Sequence, residues 1–135
     1  MTKTRWYTLA VVGVHALVAG LHGAAHVQLE IRLSPLQMTF VVLVISLAPL
    51  VALGLVWGGW VRVGGAVLLT SMAGALAFGI VNHFILHSPD HVSQVAAGFW
   101  GDVFRMTAYL LALIEAIGCW CGAWLMAGVG RRASL

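Results

Sequence analysis

Long apolar runs broken by short polar connections divide this chain into four segments. The first runs from about Trp6 to Leu33 and ends where Ser34 offers an N-cap and Pro35 the first position of a new helix. The second, about Pro35 to Trp57, has no ionisable side chain, and its Pro49 predicts a kink. Gly58, Gly59, Gly64 and Gly65 surround Arg62 in a short connection to the third run, about Val63 to His87, which stops before Ser88 and Pro89. Pro89 to Gly98 is too polar to cross a bilayer and too apolar for a free loop, so it predicts a short interfacial helix. The last run extends from about Gly101 to Gly128. A crossing helix needs about 20 apolar residues, so each run is long enough to span. The predicted fold is an all-α integral membrane protein: one domain over residues 1–135, a bundle of four transmembrane helices with an interfacial helix between the third and fourth.

Composition sharpens this picture. Of 135 residues, 61% are hydrophobic and only 8% charged, more apolar surface than a water-soluble domain of this size can hide. The net charge of +3 does not point to nucleic acid, because the basic residues sit at segment ends and form no patch interleaved with aromatics. They act as topology signals instead. Lys3, Arg5, Arg62, Arg131 and Arg132 fall on one side and Arg32 and Arg105 on the other, which predicts a cell (inner) membrane protein with both termini cytoplasmic. The N-terminus has no clean small-residue cleavage site, so the first segment is expected to be a retained helix. Cys119 and Cys121 lie about 200° apart around a helix and read as core residues. The tryptophans fall mostly near segment ends, as interfacial anchors do. Gly54 with Gly58, and Gly118 with Gly122, permit close helix approach within one chain or in a homo-oligomer.

The chemistry lies in the histidines. His15, His22, His26 and Glu30 fall within about 80° of one another on the first helix and form one stripe. The third helix carries His83 and His87 one turn apart, with His91 just beyond Pro89. Topology brings both histidine-rich ends to the same, extracytoplasmic side. Ionisable residues at membrane depth are costly and mark a site or a pathway by default. Imidazoles at i and i+4 on facing helices suit Cu, Fe or Zn. The candidate ligands are His22, His26, Glu30, His83, His87 and His91, enough for a mono- or dinuclear centre, with Asp90 and Asp102 as supporting carboxylates. Glu30 and Tyr109 are the candidate catalytic groups, and Met106 shares a face with Asp102 and Tyr109; Asp102 with Arg105 can equally form a plain interfacial pair. His15 and Glu115, at similar depth below the cluster, form a candidate proton relay.

These residues predict a membrane-embedded metalloprotein with a transition-metal cofactor and a capacity for redox or hydrolytic chemistry. Two alternatives use the same residues: a b-type haem protein gripping porphyrin between facing histidines among small neighbours, and a metal or proton transporter. The expected partners are the lipid bilayer and further copies or subunits of a larger membrane complex, with no nucleic acid. The sequence has no Gly-rich phosphate loop, no Ser or Cys nucleophile motif and no HExxH zinc signature.

Overall fold

The computed structural model describes residues 3–130 and is built of helices, with no strand among the described residues. We number the four long helices α1 (Lys3–Gln28), α2 (Pro35–Trp57), α3 (Val61–Ile85) and α4 (Phe99–Gly130). All four are long and apolar enough to cross a membrane. Large apolar side chains such as Leu17, Leu36 and Trp120 cover the exterior, while His15, Glu115, His22 and His83 are buried inside. This inside-out arrangement is what a lipid solvent selects. Arg131 and Arg132, counted above for orientation, lie outside the described residues.

Each chain reversal has a local cause. α1 ends two residues before Glu30, which adopts a left-handed φ of 55°. The Ile31 N–H bonds the His26 carbonyl at 3.0 Å and the Glu30 N–H bonds the Val27 carbonyl at 3.2 Å, the paired bonds of a Schellman C-terminus. Glu30 therefore leaves the helical stripe expected for it. Ser34 then caps α2 through a reciprocal box: its Oγ accepts from the Gln37 N–H at 3.2 Å, and Gln37 Oε1 accepts from the Ser34 N–H at 2.8 Å. The Gln37 amide also donates to Asn82 Oδ1 at 3.1 Å, which ties the start of α2 to α3.

Both middle helices contain a widened π segment. Residues Val41–Leu47 adopt it just ahead of Pro49, whose ring would press on the carbonyl four residues earlier, so the predicted kink is expressed as a change of helical register. The second covers Val81–Ile85, the last turn of α3, and carries His83.

The expected interfacial helix does not form. Residues 86–98 are turns and bends. A helix there needs its carbonyls for its own N–H groups, but Arg105 takes two of them, with Nε donating to the Val92 oxygen at 3.1 Å and Nη2 to the Val95 oxygen at 2.7 Å. The Val92 N–H goes to the His83 carbonyl at 3.0 Å. This strapped loop packs Val95 against Ala25 and Phe104 over the histidine-rich end.

Packing is uneven along the bundle. At the end opposite the histidines, Val12, Ala52, Val56, Leu68, Met72, Cys121 and Leu125 form a dense core. There a Cβ on Gly122 would stand 2.6 Å from Leu69 N and 2.8 Å from the Gly65 oxygen, and one on Gly118 would meet Met72 at 2.6 Å. Gly118 and Gly122 thus serve the α3–α4 contact within the chain, whereas Gly54 has nothing within 4 Å. α1 packs along α4 and, at this dense end, on the Ala48–Trp57 part of α2, whereas towards the histidine-rich end residues 35–47 turn to α3 and stand off from α1. A cavity of about 830 Å³ fills the resulting space.

Backbone atoms cannot yield to an added methyl as a flexible side chain does. Gly122→Ala is therefore expected to destabilise the bundle by about 1–3 kcal/mol, lowering the midpoint of thermal unfolding in detergent. Gly54→Ala, in open space, is expected to cause no loss.

Candidate metal centre

Three imidazoles and one carboxylate meet at the histidine-rich end. His22 and His26 lie one turn apart on α1, His83 comes from the π turn of α3, and Asp90 comes from the strapped loop. Donor atoms of the three histidines lie within 4.8 Å of one another. The rings of His22 and His83 are 4.8 Å apart at 72°, and those of His22 and His26 4.9 Å apart at 71°. The fully buried Phe104 ring packs against all three, at 4.6, 5.2 and 5.3 Å between centroids.

The hydrogen bonds assign the tautomers. Thr107 Oγ1 has one proton, which it gives to the Val103 carbonyl at 2.7 Å, so at its 2.8 Å contact with His22 Nδ1 it accepts. Neutral His22 thus carries its proton on Nδ1 and presents a bare Nε2, which is buried with no partner. His83 Nδ1 lies 3.0 Å from the Asp90 carbonyl, which can only accept, so His83 also carries Nδ1–H and presents a bare Nε2. His26 Nδ1 faces the Ile31 carbonyl at 3.5 Å, and its Nε2 stands 3.2 Å from Asp90 Oδ1. Metal-binding histidines are commonly fixed in this way, one ring nitrogen donating to an oxygen and the other turned to the ion.

Asp90 supplies the negative charge. Its Oδ1 lies 3.2 Å from His26 Nε2 and 3.3 Å from His83 Nδ1, yet neither carboxylate oxygen has a hydrogen bond of good geometry and both are buried. An unsatisfied buried carboxylate costs several kcal/mol, and a cation among these groups removes that cost. The three imidazole nitrogens could hold a metal ion, with the Asp90 carboxylate beside the rings as a source of negative charge. A tetrahedral ion with bonds of about 2.1 Å separates its ligands by roughly 3.4 Å, so the side chains close by about an ångström to bind.

The other residues singled out in the sequence lie elsewhere. His87 falls beyond the end of α3 at Ile85, so it is not one helical turn from His83; it is exposed and stacks on His91, with ring centroids 4.8 Å apart. Glu30, turned aside by the Schellman bend, lines the cavity at its histidine-rich end, apart from the triad. Asp102 is exposed and pairs with Arg105 at 3.0 Å. Tyr109 and Met106 are exposed on the outer face of α4, with Tyr109 against Phe84 at 5.1 Å. His15 and Glu115 do meet, with His15 Nε2 3.5 Å from Glu115 Oε1; both are buried and line the far end of the cavity.

Phe104, Thr107 and the strapping role of Arg105 were not anticipated. A signal for Thr107 was present: Phe104, Thr107, Leu111, Glu115, Gly118, Gly122 and Leu125 repeat at helical spacing along the buried face of α4. On that stripe the polar members are Thr107 and Glu115, the first beside the triad and the second beside His15.

The chain matches no protein-family model, no curated protein and no solved structure. The functional reading therefore rests on this geometry.

Because Thr107 holds the His22 ring without touching an ion, Thr107→Val, which keeps the shape and removes the acceptor, is expected to weaken metal binding about 10- to 100-fold while leaving helix content unchanged. Competition titration with a chelator, beside circular dichroism, measures both.

Proposed function

We propose that this chain is a multi-pass membrane metalloprotein that holds one transition-metal ion on His22, His26 and His83, with Asp90 beside the rings supplying charge and orientation. The observation that carries the reading is the convergence of three imidazoles within 4.8 Å beside a buried carboxylate that lacks hydrogen bonds. A mononuclear centre is favoured over a dinuclear one because Glu30, His87 and His91, the additional donors, stand away from the triad. Copper, iron and zinc all suit the ligand set; copper or iron makes the centre redox-active and zinc makes it a Lewis acid. Lys3, Arg5 and Arg62 lie at the end opposite Arg32 and Arg105, which favours an extracytoplasmic centre under the positive-inside rule.

The geometry favours this reading over the two others the same residues suggested. The facing imidazoles of α1 and α3 are already in ring-to-ring contact at 4.8 Å, leaving no gap for a porphyrin plane between them. A transport route inward from His15 and Glu115 meets the dense core around Val12, Leu68, Met72 and Leu125.

Elemental analysis of the full chain purified in mild detergent and reloaded with Zn, Cu or Fe tests the proposal. About one equivalent of bound metal is expected, lost in His22→Ala and His83→Ala and retained in His87→Ala. Binding should also fall on acidification, since protons compete for the same nitrogens. Metal well below one equivalent under every loading, or a content indifferent to His22→Ala and His83→Ala, refutes the assignment.

A further inference from the structure

We infer that the cavity beneath the metal centre is a binding site for an uncharged, lipid-soluble molecule with a hydrogen-bonding ring head, of the quinone and quinol class, which enters sideways between α1 and α2. The inference rests on the membrane-spanning reading and on the cavity, and stands independently of the ion.

The route is set by the helices. Residues 35–47 stand off from α1, and the two helices border the gap with exposed residues: Ala16, Gly20 and Gly23 on α1, and Met38, Ser46 and Leu50 on α2. Gly20 and Gly23 have nothing within 4 Å of where a side chain would begin, so the α1 edge of this seam is open. The seam lies along the length of the spanning helices, where the surrounding solvent is hydrocarbon. A volume of about 830 Å³ is within the range of small-molecule sites.

The occupant's chemistry follows from what lies at each depth. The walls are mostly apolar, with Val41, Ile45, Pro49, Ala75, Phe78 and Leu111 among them. An acyl chain would match those walls but would end against His15 and Glu115, two buried polar groups whose own contact is too long for a good hydrogen bond. His15 Nε2 is left with no partner, and both side chains line the cavity. A hydroxyl or carbonyl on a flat ring satisfies that pair, and the apolar tail runs back through the seam into lipid. A charged head is disfavoured, because nothing at that depth except this one pair would offset its desolvation.

The test uses the full chain in detergent with a decyl-chain benzoquinol as probe and decanol, which has the same tail and no ring, as control. Saturable binding of the benzoquinol, read as a concentration-dependent rise in unfolding temperature, is expected, with decanol at least about tenfold weaker. Gly20→Phe, which fills open space in the seam, should abolish the rise. The volume-conserving double variant His15→Leu with Glu115→Leu should weaken binding by about tenfold or more, since it removes both head partners. Should either variant fail to fold, a photoreactive azido-benzoquinone on the wild-type chain decides the matter: labels mapped to α1 and α2 along the seam support the site, and labels elsewhere overturn it. Equal binding of decanol, or benzoquinol binding unaltered in a folded Gly20→Phe, also overturns it. Metal content measured on the same samples keeps the two readings separate: absent benzoquinol binding with metal retained sinks the cavity site alone, and the reverse sinks the metal centre alone.

Discussion

The bundle depends on a constraint at one end: the backbones of α3 and α4 touch at Gly65 and Gly122, where no side chain fits between them. Four helices this long and apolar suit a hydrocarbon surrounding, where no apolar driving force acts between helices and close van der Waals approach over small residues does the work of association. The clamp lies far from the histidines and leaves that end free to splay. There residues 35–47, which include the π segment Val41–Leu47, pack towards α3 and leave the space alongside α1 unfilled. A tight half anchors the fold, and the open half holds the histidine triad and the cavity.

Within the open half, polar groups are held to a stricter requirement than they would be in water. Each buried donor or acceptor needs a partner, and most find one: Thr107 for His22, the Asp90 carbonyl for His83, the Val92 and Val95 carbonyls for Arg105. Among the described residues, the buried side-chain atoms left without a partner are His22 Nε2, both Asp90 oxygens and His15 Nε2. They fall at two levels about 10 Å apart along α1, on the seven-residue separation of His15 and His22. The upper level is where the proposed ion would sit, and the lower is where the proposed neutral head would; both border the same cavity.

The sequence carried the fold at the level of helices and their ends. Apolar run lengths located four helices, and Ser34 with Pro35 located a capped start, because these features are local and depend on few residues. His22, His26 and His83 were also legible as candidates, since polar residues stand out in an apolar background. Positions set by register were not. His87 and Glu30 were assigned on ideal helical spacing, and the helix ends at Ile85 and Gln28 remove both from the stripes expected of them. The loop was misread because the cause of its shape, Arg105, lies 13 residues from Val92 and acts through backbone oxygens that carry no sequence label. Thr107 was missed for a different reason: a threonine in an apolar helix usually bonds only its own preceding turn.

The π turn at Val81–Ile85 makes the triad a matter of phase as much as of composition. A π turn accommodates roughly one residue more than the α turn it replaces, and one residue is about 100° of rotation. Loss of Val81 or Asn82 would preserve every histidine in the chain and rotate the third imidazole away from the other two. Two chains alike in their histidines could then differ in whether the three imidazoles meet at all.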